Sequence, residues 1–125
     1  MKSLLVVAHG SRRQASNDEV RTLILKLREQ ANVFAQIDCA FLELAEPSIP
    51  NGLRQLIKRG ATDLIVLPYF LSAGRHVVEH IPAEIEIVRQ EYPKISILLV
   101  PHLGAADGIT TLLLKQSQLF IPSNM

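Results

Sequence analysis

The sequence predicts a single-domain α/β protein, a three-layer sandwich around a four-stranded, mainly parallel sheet. Two patterns indicate this fold. Short runs rich in Val, Ile and Leu alternate along the chain with segments whose apolar residues recur at helical spacing. The apolar runs also lack a polar face, which is typical of strands that helices cover on both sides. Strand and helix alternate four times, and right-handed crossovers are expected to join the strands.

The first two strands are predicted at 4–8 and 37–42, where the chain is almost continuously apolar. A helix is predicted after each of them, at 17–31 and at 48–59. Gly60 follows the second helix as a C-terminal stop signal. The apolar faces consist of Val20, Leu23, Ile24 and Leu27 in the first helix and of Leu53, Leu56 and Ile57 in the second.

The other two strands are predicted at 64–69 and 95–100. The helix after the third strand is predicted at 82–92, because Pro82 suits a first helical turn and Pro93 ends the helical pattern. The last helix is predicted at 105–119. The apolar faces consist of Ile81, Ile85 and Val88 in the third helix and of Ile109, Leu112 and Leu113 in the fourth.

Length and composition exclude several classes of protein. The chain has 125 residues, 48% hydrophobic and 20% charged, with a formal net charge of +1. Its length predicts one domain over 1–125, with a core at about 2–119 and a short tail at 120–125. A near-neutral charge argues against a nucleic-acid partner. No apolar run approaches the roughly 20 residues of a membrane helix, so no membrane partner is expected. The single cysteine, Cys39, predicts a buried thiol in a reducing cytoplasm.

All four histidines follow predicted strands: His9, His76, His80 and His102. In open parallel sheets, ligands bind outside the carboxyl ends of the strands. Imidazole binds ions such as Fe, Co, Ni and Zn, and it exchanges protons near neutral pH. The clustering therefore predicts a metal-binding or proton-transfer site at this rim of the sheet.

Three of the four histidines also suit simpler roles. His9 can hydrogen-bond backbone in the first turn, His80 can be a solvated residue at a helix entry, and His102 can be structural. His76 lies on a loop beside Arg75, so a core position is not expected. The spacing of His76 and His80 suits one helical face, but Pro82 favours a turn that leads into the helix. The pair therefore indicates a metal site, less specifically than two histidines on an uninterrupted helix would.

Other catalytic patterns do not fit. The chain has no phosphate-binding P-loop, no dinucleotide-binding glycine motif after the first strand and no glycine-flanked serine nucleophile. A histidine phosphatase would carry an arginine before the histidine of the first strand end, and Ala8 occupies that place.

Three motifs follow the strands in order. His9-Gly10-Ser11-Arg12 ends the first strand, and FLELAEPS spans 41–48 after the second. LPYFL spans 67–71 after the third, followed by Gly74, His76 and Ile81-Pro82. In this order the motifs resemble the small CbiX/SirB-type chelatases, which are class II tetrapyrrole chelatases. The resemblance covers roughly 2–119.

The resemblance implies a lyase that inserts Co²⁺, Fe²⁺ or Ni²⁺ into sirohydrochlorin, in tetrapyrrole biosynthesis of the cobalamin or sirohaem type. The divalent metal is then a substrate, and no prosthetic group is expected. Larger relatives contain two such α/β halves with the site between them, so the short form is expected to be a homodimer. The sequence does not decide the metal. The alternative is a non-catalytic carrier of metal or tetrapyrrole on the same fold.

The resemblance also implies roles for individual residues. His9, His76 and Glu43 are expected to be catalytic, and His9, His76 and His80 to bind metal. His80 stands where many relatives carry aspartate, which adds a possible ligand or proton acceptor. Glu43 has an alternative role as a surface carboxylate that caps the following helix. The residues expected to bind substrate are Ser11, Arg12, Arg13, Phe70, Leu71, Gly74 and Arg75, with Leu103 as a further apolar contact. The alternative for the three arginines is an ordinary solvated charge, and the alternative for the three apolar residues is a position in the core.

Overall fold

The computed structural model describes residues 1–122, and the side chain of His76 lies outside the described part. The strands are β1 (Lys2–Ala8), β2 (Gln36–Phe41), β3 (Asp63–Pro68) and β4 (Ser96–Leu99). The helices are α1 (Gln14–Gln30), α2 (Ile49–Lys58), α3 (Ile81–Glu91) and α4 (Gly108–Gln118). A π-helical turn, His76–His80, leads into α3, and a 3₁₀ turn, Leu103–Ala105, precedes α4.

All pairings in the sheet are parallel, and the strand order is β2-β1-β3-β4. The predicted α/β fold and its four strands are therefore confirmed. The largest differences from the predicted boundaries lie at two helix starts. Helix α1 begins at Gln14 instead of 17, and α4 begins at Gly108 instead of 105 because a 3₁₀ turn occupies the chain before it.

The central strand β1 separates two apolar cores. Leu5 and Val7 lie in a core with residues of α2 and α3, whereas Leu4 and Val6 lie in a core with Ile24 of α1. Successive side chains of a strand point to opposite faces, so this continuous apolar run supplies both cores at once. The predicted helical faces at Leu53, Leu56, Ile81, Ile85 and Val88 are buried, as is Cys39.

Arginine side chains cover the outer edges of the sheet. In the edge strand β2, the carbonyl of Ile37 accepts a hydrogen bond from Nε of Arg28 at 2.8 Å. In the edge strand β4, the carbonyl of Ile97 accepts one from Arg89 at 2.7 Å. An open edge presents unpaired backbone groups that recruit further strands. These charged side chains oppose extension of the sheet by another chain.

Helix α4 differs from the other helices, because none of its residues is buried. The exposed fractions of Leu112, Leu113 and Leu114 are 57%, 60% and 55%. Helical spacing correctly predicted this helix, but the domain itself does not cover its apolar face. The beginning of the predicted tail, Phe120 and Ile121, is also exposed, and residues 123–125 lie outside the described part of the chain.

Candidate functional site at the carboxyl rim of the sheet

His9 and Glu43 meet at the carboxyl ends of β1 and β2. Nε2 of His9 lies 3.1 Å from Oε1 of Glu43, a hydrogen-bond distance. The backbone brings them together, because hydrogen bonds between the two strands continue past their ends. The N–H of Leu42 donates to the carbonyl of Ala8 at 3.0 Å, and the N–H of Glu43 donates to that of His9 at 3.2 Å. Both side chains remain about half exposed, at 48% and 51%.

Gly10 allows this close approach of the two loops. Its φ angle is +93°, and a Cβ atom there would lie 1.8 Å from the carbonyl oxygen of Glu43. A left-handed backbone conformation favours glycine, and the missing side chain leaves room for the neighbouring loop. The glycine of the first motif is therefore required by the geometry that pairs His9 with Glu43.

A second pair of loops meets on the other side of β1. The N–H of Gly104 donates to the carbonyl of Phe70 at 2.9 Å. A Cβ atom on Gly104 would lie 1.8 Å from the carbonyl oxygen of Leu71. The Phe70 ring stands edge-on to the imidazole of His9, with 6.2 Å between the ring centroids. Phe70 is half-buried and Leu71 is exposed, so an apolar surface borders the His9–Glu43 pair.

The π-helical turn His76–His80 follows β3, as expected for a turn that leads into the helix at Pro82. The carbonyl of Gly74 accepts the N–H groups of Val77 and Val78, both at 3.1 Å, and so begins this turn. Arg75 lies 3.7 Å from Glu79, and both side chains are largely exposed. His80 is exposed as well.

The predicted metal site joins His9, His76 and His80. Among the side chains that the structure describes, no three His, Cys, Asp or Glu residues are grouped so that they could hold a metal ion. The imidazole of His76 is not among those side chains. A metal site formed by His9, His76 and His80 therefore stays a prediction.

The first loop also carries the predicted anion-binding residues. Arg12 and Arg13 are exposed, and within residues 1–122 their guanidinium groups form no ion pair. The hydroxyl of Ser11 accepts a hydrogen bond from the N–H of Arg13 at 3.0 Å. These cations lie on the same loop as His9, and their role in binding an anionic ligand stays a prediction.

Glu43 does not cap the helix that follows it, which was its alternative role. The hydroxyl of Ser48 accepts a hydrogen bond from the N–H of Asn51 at 3.3 Å and caps α2. Serine is among the preferred residues at this position. The carboxylate of Glu43 instead contacts His9.

Two residues of α1 contact the loops of the site, and neither is among the site residues predicted from the sequence. Asn17 is only 2% exposed, and its side chain hydrogen-bonds both the N–H and the carbonyl of Ser11. Arg21 donates to the carbonyl of Glu46 at 3.2 Å. The available signal was spacing, because Asn17 precedes the buried Ile24 by seven residues and so lies on the same helical face.

The lone thiol has no part in this site. Cys39 is buried, and burial raises the pKa of its thiol, with a further contribution from the neighbouring Asp38. A thiol whose pKa is raised is a poor nucleophile and a poor metal ligand at neutral pH. The chemistry of the rim therefore comes from imidazole, carboxylate and guanidinium groups.

An apolar groove of about 470 Å³ lies beside the rim. It runs between the loop after β3 and the exposed face of α4. Its lining residues are Tyr69, Phe70, Leu71, Leu103, Ile109, Leu112, Leu113 and Gln116. Phe70 therefore borders both this groove and His9.

Comparisons with known proteins agree with this architecture. A family model described as CbiX matches residues 3–118. The chain is 33% identical over 116 residues to the sirohydrochlorin ferrochelatase of Priestia megaterium, and the match covers 93% of this chain and 43% of that protein. The chain thus spans less than half the length of this relative.

Solved structures are similar over nearly the whole chain. A CbiX protein from Marinobacter aquaeolei VT8 matches with a TM-score of 0.81 and 25% identity, covering 94% of this chain and 95% of that one. The sirohydrochlorin chelatase SirB from Bacillus subtilis subspecies spizizenii, in complex with cobalt, matches with a TM-score of 0.84 and 27% identity. That match covers 95% of this chain and 50% of SirB. No helix within residues 1–122 is long and apolar enough to cross a membrane.

Proposed function

This chain belongs to the CbiX family, and we propose that it is a sirohydrochlorin metal chelatase, a lyase that inserts Co²⁺ or Fe²⁺, or else Ni²⁺, into the macrocycle. The observation that carries the proposal is the His9–Glu43 pair. It combines a metal-binding imidazole with a proton-accepting carboxylate at the rim where parallel sheets bind ligands. The names of the relatives include a ferrochelatase and a chelatase in complex with cobalt, which supports a divalent metal as substrate.

Metal insertion exchanges two pyrrole N–H protons for one divalent ion, with no change of oxidation state. A site for this reaction presents the ion, removes its water ligands and accepts the protons. In the proposed mechanism His9 and His76 present the ion, and His80 supplies a further nitrogen. Glu43 accepts the protons one at a time and returns each to solvent, because a carboxylate within hydrogen-bond reach serves as a general base. The exposure of His9 and Glu43 leaves room for the macrocycle.

The substrate adds anionic and apolar groups to be bound. We assign the carboxylates of sirohydrochlorin to Arg12, Arg13 and Arg75, because guanidinium pairs with carboxylate in a planar, two-point geometry. We also assign the hydroxyl of Ser11 and the backbone of Gly74 to substrate binding. The apolar plane of the macrocycle is assigned to Phe70 and Leu71, supported by the edge-on contact of Phe70 with His9.

A second copy of this chain is the proposed partner. The chain spans 43% of its ferrochelatase relative and matches half of SirB, so one copy corresponds to one half of a longer chelatase. The uncovered face of α4 supports the same proposal, since three leucines in one helix are more than half exposed. Burying a leucine side chain contributes about 1.5–3 kcal/mol, so pairing two such faces is favourable.

The location of this face also favours the second copy as its occupant. The sheet edges are covered by Arg28 and Arg89, which opposes association through added strands. The apolar groove beside α4 borders Phe70, which in turn borders His9. A copy bound at α4 would therefore bring its own rim towards this one and form a cleft between two domains.

The remaining assignments follow from the same proposal. We place the protein in the cytoplasm, supported by the buried, unpaired Cys39. We treat residues 1–125 as one domain that needs no prosthetic group. Neither a nucleic acid nor a membrane is a proposed partner, in keeping with the net charge of +1 and the composition.

Turnover distinguishes the chelatase from a carrier of metal or tetrapyrrole. Protein is mixed anaerobically with a large excess of sirohydrochlorin and with Co²⁺, Fe²⁺ or Ni²⁺ in turn, and insertion is followed by visible absorption. A chelatase forms many product molecules per protein molecule with at least one metal, faster than the protein-free control. A carrier forms at most a stoichiometric complex. Insertion no faster than the control with all three metals would overturn the proposal.

A further inference from the structure

We infer that Asn17 is a positioning residue. From its place in α1, it holds the loop that carries His9 against the loop that carries Glu43. The inference rests on the proposed function, because it concerns how the His9–Glu43 pair is held in place. Within the described part of the chain, no hydrogen bond joins Asn17 to either side chain of the pair. Its side-chain hydrogen bonds go to the backbone of the first loop at Ser11, two residues beyond His9.

The two hydrogen bonds of Asn17 use both ends of its amide. Oδ1 accepts from the N–H of Ser11 at 2.9 Å, and Nδ2 donates to the carbonyl of Ser11 at 2.8 Å. Two bonds to one residue restrain both the position and the rotation of that residue. Asn17 is one of two buried polar residues in the described part of the chain, and a buried polar group is costly unless it is paired. The satisfied amide thus anchors the loop to α1.

The loop that Asn17 anchors is continuous with His9, one member of the proposed catalytic pair. Gly10 lies between His9 and Ser11. Its Cα is so close to the carbonyl of Glu43 that an added Cβ atom would be only 1.8 Å from the carbonyl oxygen. The loop therefore has little space on the side of Glu43, and Asn17 restrains it on the side of α1. Loss of this restraint would leave His9 free to move relative to Glu43.

Arg21, one turn further along α1, restrains the second loop. Its guanidinium donates to the carbonyl of Glu46 at 3.2 Å and lies 5.2 Å from the ring centroid of the buried Phe41. Phe41 ends β2, just before the segment that carries Glu43. One face of α1 thus contacts both loops, through Asn17 on the His9 side and through Arg21 on the Glu43 side.

The test measures Co²⁺ affinity and metal insertion in Asn17→Ala. Residues that orient metal ligands change affinity or activity by about 10- to 100-fold when they are removed. We expect Asn17→Ala to weaken Co²⁺ binding, followed by the visible spectrum of the ion, and to lower kcat more than it raises KM. Asn17→Asp keeps an acceptor for the N–H of Ser11, so we expect it to restore part of the affinity.

Ser3→Ala is the matched control. Ser3 is the other buried polar residue, and its hydroxyl accepts from Gln36 at 3.3 Å at the opposite end of β1. This control removes a buried hydrogen bond without touching the rim, so its Co²⁺ affinity should equal that of the wild type. The inference is overturned if folded Asn17→Ala keeps wild-type affinity and kcat, or if Ser3→Ala reduces them equally.

The affinity measurement separates this inference from the proposed function. If the wild-type protein binds Co²⁺ but inserts no metal, the chelatase proposal fails. A loss of Co²⁺ affinity in Asn17→Ala that is absent in Ser3→Ala would then still support the positioning role. Unfolding curves for all variants identify any that fails to fold. If Asn17→Ala does not fold, Asn17→Asp provides the test, because it loses only the amide donor to the carbonyl of Ser11. Weaker Co²⁺ binding than in the wild type is then expected, and unchanged binding would count against the inference.

Discussion

The imidazole of His9 and the carboxylate of Glu43 lie 3.1 Å apart at the ends of adjacent strands, although 34 positions separate them in the sequence. Register explains the contact, because Ala8 pairs with Phe41 and the hydrogen-bonded ladder continues by two more residues. The pair is accessible from solvent, so a metal ion and a planar ligand can reach it without opening the core.

Glu43→Gln removes a proton acceptor and keeps the size of the side chain. We expect the rate of metal insertion to fall by about 100-fold or more, in the range typical for loss of a general base. Initial rates of Co²⁺ insertion measure this. Glu46→Gln is the control, because Glu46 is an exposed acid of the same loop, and it is expected to insert metal normally. Equal rates for Glu43→Gln and the wild type would remove Glu43 from the mechanism.

Gly10→Ala should destabilise the protein. The left-handed conformation alone costs a non-glycine residue about 1–2 kcal/mol, and the new Cβ would also collide with the carbonyl of Glu43. We expect a loss of at least ~2 kcal/mol in the free energy of unfolding, measured with urea. In the control, Gly108→Ala, the added Cβ meets nothing within 4 Å. The change there should be within about 1 kcal/mol. Similar stabilities of the two variants would contradict the close approach of the loops.

The order and type of the elements could be predicted because their signals are local. The apolar runs gave four strands, and the core faces of α2 and α3 followed from spacing, with Leu53, Leu56, Ile85 and Val88 buried as expected. The topology also confirms that the strands which the four histidines follow end at one edge of the sheet, since the carboxyl ends of parallel strands lie together. That the histidines form one site stays a prediction.

Other features depend on contacts that spacing does not encode. Helical spacing shows that Leu112 belongs to an apolar face, but not whether that face lies inside the domain or outside it. Likewise, the two alternatives for Glu43, a site residue or a helix cap, differ only in the neighbour that its carboxylate contacts. In the structure Ser48 caps α2, and Glu43 contacts His9. The role of Asn17 could not be predicted, because a polar residue in an apolar helical face reveals its function only when the position of its hydrogen-bond partner, Ser11, is known.

Pairing through α4 predicts that charge on its apolar face separates the copies. We expect wild-type protein to be a dimer by light scattering and Leu112→Asp/Leu113→Asp to be a folded monomer with little insertion activity. Leu25→Asp is the control, because Leu25 is equally exposed, at 56%, but lies on α1. A double variant that remains dimeric would exclude α4 as the interface. A monomeric, fully active wild type would exclude the shared cleft.

Acid should remove the contribution of one ion pair to stability. Two hydrogen bonds from Arg54, at 2.8 and 2.6 Å, hold the pKa of Glu91 below its usual value. A lowered folded-state pKa stabilises the protein above the unfolded-state pKa, and this contribution is lost as the pH falls through the folded-state pKa. Glu91→Gln should therefore be less stable than the wild type at pH 7, and the difference should vanish in strong acid.

Urea unfolding at several pH values measures this effect, with Glu29→Gln as a control at an exposed glutamate of α1. The pair lies at the surface, so the effect is expected to be small and to shrink further at high salt. A stability difference between Glu91→Gln and the wild type that persists unchanged at low pH would contradict this assignment.

The most direct test of the proposed site is the rate of Co²⁺ insertion by His9→Ala, measured beside the wild type under identical anaerobic conditions. His9 is exposed at the rim, so its removal is expected to leave the fold and its thermal unfolding nearly unchanged. We predict that insertion falls to the rate of the protein-free control, because the ion loses the imidazole that presents it to the macrocycle. Insertion by folded His9→Ala at the wild-type rate would contradict the assignment of the His9–Glu43 pair as the catalytic centre.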